Sequence, residues 1–349
     1  MSGDTAAVRA GEQLNAGALE DFLRGKLPGV EDGLAIEQFP GGHSNLTYCL
    51  KAGSREYVLR RGPLGPVAPK AHDMAREFRV LQAVHPLFPP APEVYMLCED
   101  PSVIGAVFFL MERRHGVVLR DEIPAEIARQ PDYAARLSDA FLDCLVALHA
   151  IDIDAHGLRA LGKPDGFLER QVHGWADRWQ RAKTEELPEM DRVIAWLGSH
   201  MPAPAAPTLV HNDYKLDNVM YRAADAGCVE AVLDWEMTTV GDPLADLGLT
   251  LCYWTTAADP EVASAGVPAI SAGPGWRTRD QLVQRYARAT GRSVDRLAWY
   301  ETLGVFKLAV ILQQIFFRFH RGQTNDERFR HFDRRVRKLV EIAGSLAAG

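Results

Sequence analysis

The feature that constrains this chain most is where its two hydrophobic rhythms fall. Before residue 112 the apolar residues come in short alternating runs, and after Gly116 they recur every three or four residues. Period two marks strands and period 3.6 marks helices. The strand-like runs are 34–39, 46–51, 57–60, 93–97 and 106–111. Gly41-Gly42 separates the first pair and Gly53-Ser54 the second, so the first three read as an antiparallel meander. Helices are expected over 14–27, and over 73–84 with Met74, Leu81 and Val84 as the stripe. Helical patterns then recur at 133–149, 168–183, 189–200, 278–290, 293–320 and 327–347. A small β insertion, 219–222 and 230–234, surrounds a turn containing Asp225 and Gly227. Proline-rich 201–208 reads as a connector and 257–275 as a loop. Segregated strands followed by mostly helices predict an α+β fold. Residues 1–112 would form a small N-terminal antiparallel β-sheet lobe with one prominent helix. Residues 113–349 would form a larger, mostly helical C-terminal lobe, and a cleft between the two is the expected ligand site.

A chain of 349 residues, 47% hydrophobic and 24% charged, buries a full core without staples. That excludes a disordered chain, a collagen-like fibre and a disulfide miniprotein. The net charge of −7 argues against a general nucleic-acid binder. The five cysteines are odd in number, scattered and without CxxC spacing, which suits a reducing compartment and argues against a zinc ribbon. The N-terminal stretch has no apolar h-region, so no signal peptide is expected. The apolar run 308–319 is broken by Gln313, Gln314 and Arg318 and reads as a buried helix, short of the roughly 20 residues a membrane span needs. The expected location is the cytoplasm, with no membrane partner; oligomeric state is not legible.

The chemistry concentrates in 208–246. Asp213 and Asn218 lie five residues apart on an expected loop after Leu209-Val210, and Asp234 ends the next hairpin strand. Mg²⁺ takes hard oxygen ligands, commonly one or two carboxylates with phosphate and water. Asn218 offers a neutral carbonyl oxygen and Asp234 a charged one, which leaves Asp213 to accept a hydroxyl proton. That is the division of labour phosphoryl transfer requires. The bland alternative is that each of these residues caps a turn.

With these residues in view, the chain resembles the aminoglycoside phosphotransferase and choline kinase group, relatives of protein kinases, from about residue 39 to 249. Within that group it is most similar to the phosphotransferase domains related to bifunctional acyl-CoA dehydrogenases, through VLRRGP, REFRVL and HNDYKLDNV. The resemblance implies a protein-kinase-like two-lobe fold, ATP and Mg²⁺ as cofactors, and a small-molecule hydroxyl acceptor. It makes Asp213 the catalytic base and Asn218 and Asp234 the magnesium ligands, with His211 structural. Lys215 either stabilises charge on the γ-phosphate or is a solvated lysine. Asp246 either braces the catalytic loop or supplies charge at a helix start, where Asp242 is the N-cap and Pro243 occupies N1.

For the nucleotide, Gly42 lets a backbone approach phosphates, and Ser44 and Asn45 offer donors. Arg60 stands where kinases place their phosphate-pairing lysine, a fork in place of a point charge. Glu77 falls on the core-facing stripe of 73–84, where an acid needs a partner. Arg60 is the natural one, and surface pairing with Arg76 or Arg79 is the alternative. The backbone of Glu112 and Arg114 matches the hinge that holds adenine.

Three other signals point elsewhere or nowhere. Residues 157–163 match the start of a P-loop, but Pro164 replaces its Ser/Thr. Trp235 after Asp234, with no APE segment downstream, argues against a protein kinase. Residues 250–320 show no dense acid cluster of the kind that cationic sugars require, which argues against an aminoglycoside acceptor; the resemblance to the acyl-CoA dehydrogenase-related domains implies a hydroxylated acyl compound instead. The expected function is therefore an ATP- and Mg²⁺-dependent phosphotransferase acting on a small-molecule hydroxyl. The alternative is a catalytically silent nucleotide-binding module of the same fold, which the departures at Arg60 and Trp235 would suit.

Overall fold

The alternating runs near the N-terminus form one antiparallel sheet in the computed structural model, which describes residues 4–40, 45–63, 73–120, 122–256, 269–324 and 326–348. Its strands are β1 (Leu34–Gln38), β2 (Leu46–Ala52), β3 (Arg55–Arg61), β4 (Val94–Cys98) and β5 (Phe108–Glu112), in the order β1-β2-β3-β5-β4. The chain divides into two units: Met1–His115 with Ala231–Glu236, and Gly116–Glu230 with Met237–Gly349.

In the first unit, helix α1 (Ala16–Leu23) packs Leu19 and Leu23 against one sheet face, where Tyr48, Leu50, Tyr57, Leu59 and Leu110 are buried with them. Alternation therefore sends Val58 and Arg60 to the other face. Helix α2 (Met74–Val84) packs on β4 and β5 and buries Met74, Glu77, Val80, Leu81 and Val84. Asp73 caps it by accepting the Arg76 N–H at 2.9 Å.

The second unit carries α3 (Ala125–Ala128), α4 (Tyr133–His149), α5 (Phe167–Ala182), α6 (Pro188–Ser199), α7 (Pro243–Tyr253), α8 (Arg279–Thr290), α9 (Leu297–His320) and α10 (Phe332–Ala348). Its strands are β6 (Val117–Val118), β7 (Thr208–Val210), β8 (Val219–Arg222), β9 (Asp225–Val232) and β10 (Thr239–Gly241). Helix α9 packs against α5, α6, α7 and α10. It is the one described helix long and apolar enough to cross a membrane, longer than the run 308–319 suggests, and 56% of its apolar window is buried inside the protein.

Asp242 caps α7 as expected, accepting the Leu244 N–H at 3.0 Å, with Pro243 following. Its other oxygen accepts from the Tyr300 hydroxyl and the Ala205 N–H, both at 2.9 Å. Thr278 and Gln281 form a capping box at α8.

Five details differ from the sequence reading. The hairpin turn is 223–224, and Asp225 and Gly227 already belong to β9; the Asp225 carboxylate accepts the Gly227 N–H at 2.9 Å and pairs with Arg136. Asp234 does not end the strand: β9 stops at Val232, and Asp234 has left-handed backbone (φ 65°) before a short turn of helix, Trp235–Met237. Strands β6, β7 and β10 are two or three residues long, too short to show a period. Helix α9 starts at Leu297 rather than 293. Of the expected loop 257–275, residues 257–268 lie outside the described residues, and Ile270–Ala272 form a turn of 3₁₀ helix.

Candidate active site

The catalytic-loop residues belong to the second unit. Strand β7 pairs antiparallel with β10, Val210 opposite Thr239, and delivers the chain to His211. The loop that follows is built on one buried carboxylate. Asp246, in the first turn of α7 and 0% exposed, accepts the backbone N–H groups of His211 and Asn212, each at 2.6 Å. His149, the last residue of α4, places Nε2 at 3.3 Å from the same carboxylate, and its Nδ1 lies 2.8 Å from the Tyr286 hydroxyl. Burial opposes the charge on Asp246, but these donors hold its carboxyl below the usual range. Asn212 takes a left-handed backbone (φ 64°), which Asn tolerates better than most non-glycine residues, and its side-chain amide donates to the Met237 carbonyl at 3.1 Å. Tyr214, fully buried, donates to the Phe141 carbonyl at 2.7 Å, and its own carbonyl accepts from Thr250 at 2.9 Å.

With the loop fixed from beneath, Asp213, Lys215 and Asn218 come together. The Lys215 ammonium lies 3.0 Å from each Asp213 oxygen. The Asn218 amide nitrogen donates to the Asp213 carbonyl and to its Oδ2, both at 2.8 Å. Those bonds set the amide orientation and turn the Asn218 carbonyl oxygen away from Asp213. Burial works against the Lys215 charge, yet the Tyr253 phenol and the Asp213 carboxylate raise its pKa above the usual lysine range. Its ammonium also lies over the Tyr253 ring, 5.1 Å from the centroid.

In the first unit, Arg60 is 9% exposed and bridges two acids. Its Nε lies 3.0 Å from Glu77 Oε2, close enough for an ion pair although off line for a hydrogen bond. Its other arm binds the Asp234 carboxylate. The pairing of Glu77 with Arg60, rather than with Arg76 or Arg79, is therefore the one the fold makes. Arg76 instead donates to the Glu236 carbonyl at 2.7 Å. Burial pushes the Glu77 carboxyl up to about 7, against the pull of Arg60 and with Asp234 and Glu236 adding like charge. Asp234 is held in place by Trp235, whose indole N–H donates to the Val232 carbonyl at 2.8 Å and whose ring meets Phe88 edge-on.

Asn45 is buried, and its amide donates to Glu236 at 2.9 Å, while its Oδ1 has no partner among the described residues. Gly42 and Ser44 lie outside the described residues. The Glu112 N–H is taken by the Glu93 carbonyl at 2.7 Å, so an adenine contact at Glu112 would fall to its carbonyl. Arg114 Nε lies 2.8 Å from the Glu112 carboxylate. The described residues hold no group of three or more His, Cys, Asp or Glu suited to a metal. The donors expected for Mg²⁺ are instead one amide carbonyl and one carboxylate, Asn218 and Asp234, hard oxygens that fit that ion.

A chain with this sheet, this loop and these helices has the kinase-like α+β fold of the aminoglycoside phosphotransferases. The match to the phosphotransferase enzyme family runs over residues 35–300, and the protein belongs to that family, small-molecule kinases. A candidate aminoglycoside phosphotransferase from Ralstonia eutropha superposes with a TM-score of 0.81 at 31% identity, covering 96% of this chain and 99% of that one. A thermostable mutant of aminoglycoside phosphotransferase APH(4)-Ia, in ternary complex with AMP-PNP and hygromycin B, superposes at 0.62 with 19% identity, over 96% of this chain and 100% of that one. The mouse acyl-CoA dehydrogenase family member 10 is 32% identical over 99% of this chain but only 32% of its own length. The chain spans less than half the length of the curated relatives it matches first, 32% of that mouse protein and 44% of the chicken acyl-CoA dehydrogenase family member 11.

Proposed function

We propose that the protein transfers the γ-phosphoryl group of ATP, in the presence of Mg²⁺, to a hydroxyl group of a small molecule, with Asp213 as the base that orients and deprotonates the acceptor. The observation that carries this reading is the convergence of Lys215 and Asn218 on the Asp213 carboxylate. A base so held is presented in one orientation, and positioning is most of what phosphoryl transfer asks of a protein. Asn218 and Asp234 are the residues that would hold Mg²⁺, which supplies charge neutralisation on the phosphates when bound. Arg60 and the segment containing Gly42, Ser44 and Asn45 would hold phosphate oxygens, and the backbone at Glu112 and Arg114 would hold adenine. Lys215 would stabilise charge on the transferred group. The AMP-PNP bound by the APH(4)-Ia mutant supports ATP as donor. The dehydrogenase-named relatives favour a hydroxylated acyl compound as acceptor over an aminoglycoside.

The test is ADP release from Mg-ATP against pooled acceptors: aminoglycosides, choline and amino alcohols, sugars, and hydroxyacyl compounds. One pool should stimulate release, and Asp213→Asn should cut that turnover by about 100-fold or more while Mg-ATP binding survives. Near-normal turnover in Asp213→Asn would remove the base assignment. Mg-ATP binding with no transfer to any pool would favour the silent module.

A further inference from the structure

One side chain in the first unit touches both ends of the proposed nucleotide site. Arg113 lies between Glu112 and Arg114, just past the end of β5. Its side chain is only 7% exposed, so the guanidinium has left most of its water and depends on its contacts. Nη1 donates to the Arg114 carbonyl at 2.7 Å. Nη2 pairs with the Asp4 carboxylate. The guanidinium carbon sits over the Phe39 ring, 4.8 Å from its centroid, which is cation–π range. Glu56 of β3 lies 3.9 Å from Nε, too far for a hydrogen bond but near enough to share the charge.

Each contact reaches a different part of the unit. The Arg114 carbonyl belongs to the stretch proposed to hold adenine. Phe39 follows β1, and its N–H goes to the Thr47 carbonyl of β2 at 3.1 Å, beside the buried Asn45. Glu56 shares its face of β3 with Val58 and Arg60. Asp4 opens an N-terminal strap laid along β1. In that strap Ala6 exchanges backbone hydrogen bonds with Gln38 at 2.9 and 2.8 Å. The Arg9 N–H goes to the Gln38 side-chain carbonyl at 2.9 Å, and the Tyr48 hydroxyl donates to the Glu12 carbonyl at 2.7 Å. Gln38 is 2% exposed and immediately precedes Phe39. The contacts therefore close a ring: Asp4 to Arg113, Arg113 to Phe39, Phe39 to Gln38 along the chain, and Gln38 to Ala6. A closed ring fixes its members, because none can move without breaking a contact elsewhere in it. The fork of an arginine suits the position, since one arm binds the Asp4 carboxylate while the other binds the Arg114 carbonyl.

We propose that Arg113 is a positioning residue of the nucleotide site, holding the adenine-binding backbone and the ends of β1 and β2 beside Asn45 in register, with Asp4 and the strap 4–12 as its outer lock. This rests on the reading of Glu112 and Arg114 as the adenine contact and of Asn45 as a phosphate contact. Arg113 acts through the backbone and through Phe39, not by touching the nucleotide. It strengthens binding by holding both ends of the site in one arrangement beforehand, so that less freedom is lost when the nucleotide enters.

The test measures binding to the full chain, well below the melting temperature of each variant, with Mg-AMP-PNP and adenosine as probes. Arg113→Met loses the charge and the fork, and should weaken Mg-AMP-PNP by about tenfold. Adenosine should weaken with it, because the adenine end is released too. Arg113→Lys keeps a cation for Asp4 and Phe39 but not the second arm, and should recover part of the loss. Asp4→Ala removes a carboxylate that is 57% exposed, which does not threaten folding, and should weaken Mg-AMP-PNP about threefold. Arg285→Gln breaks a comparable exposed ion pair, with Asp143 in the second unit, and should leave both affinities unchanged. Unchanged Mg-AMP-PNP affinity in both Arg113→Met and Asp4→Ala would overturn the proposal. So would an unchanged adenosine affinity in Arg113→Met, or a loss in Arg285→Gln equal to that in Asp4→Ala. A parent protein that binds neither probe would instead remove the nucleotide reading of this unit, and the proposal with it.

Discussion

The Asp246 carboxylate accepts the backbone N–H of His211 at 2.6 Å across 35 residues of sequence. The next N–H, of Asn212, goes to its other oxygen. One buried acid therefore sets the path of the segment that ends at Asp213, and it does so without touching the Asp213 side chain. A positioning role of this kind predicts damage to both stability and rate.

Asp246→Asn keeps the size but turns an amide N–H toward one of two backbone donors. The loss of stability should be about 3 kcal/mol, the range for breaking a buried charged network, read from urea or thermal unfolding. Turnover should fall with little change in Mg-ATP affinity. In the unmutated protein the Asp246 carboxyl is held below its usual range, so its contribution is present above pH about 4 and is lost as pH falls through the folded value. An Asp246→Asn variant as stable as the parent at pH 7 would contradict the bracing role.

Glu77 titrates in the opposite sense. Burial pushes it up to about 7, above the 4.5 of an ordinary glutamate. Between those values the folded protein holds a proton that the unfolded chain has released. Its contribution to stability is therefore complete below pH about 4.5 and is lost as pH rises through about 7. Unfolding free energies of the parent and of Glu77→Gln, measured from pH 4 to 8, should diverge across that window, with the parent losing ground to the variant. Parallel curves would mean that Arg60 holds Glu77 ionised throughout.

Lys215 contacts both oxygens of the proposed base. If it also stabilises charge on the transferred group, Lys215→Met should lower kcat by about 10- to 100-fold with Mg-ATP binding little altered. Lys215→Arg should recover part of the loss. A pure effect on Mg-ATP affinity would assign the lysine to the nucleotide instead.

Two glycines separate packing from propensity. A Cβ on Gly248 of α7 would stand 2.5 Å from the Tyr300 backbone of α9, where nothing soft can give. Gly248→Ala should cost about 3 kcal/mol by overpacking. Gly198 in α6 has nothing within 4 Å of the same position, and Gly198→Ala should stabilise by about 0.5–1 kcal/mol through helix propensity. Thermal unfolding of the two variants in one buffer reads both signs.

The long elements were legible because each is a repeated local pattern. The stripe Leu137, Phe141, Leu145 and Leu148 marks α4, and the structure runs that helix from Tyr133 to His149. The pairing of Arg60 with Glu77 was legible for an energetic reason: an acid on a buried stripe needs a cation, and few were available. The two- and three-residue strands were not legible, since β7 and β10 exist only because each pairs with the other. Nothing in the spacing around His149 pointed to Asp246, and the link between them becomes visible only when α4 and α7 are brought together. Arg113 gave no signal of its partners Asp4 and Phe39, which lie far from it in the chain.

What the sequence determined by itself is therefore what lies within one period or one loop: the segregation of strands from helices, the caps, and the spacing that lets Asn218 reach back to Asp213 over five residues. Chain geometry sets such distances before any packing occurs. What only the tertiary structure decided is which distant groups share a place: Asp246 under His211, Arg60 between Glu77 and Asp234, Arg113 between Asp4 and Phe39. Those meetings depend on how helices and strands pack, and packing is a property of the whole core that no local spacing encodes.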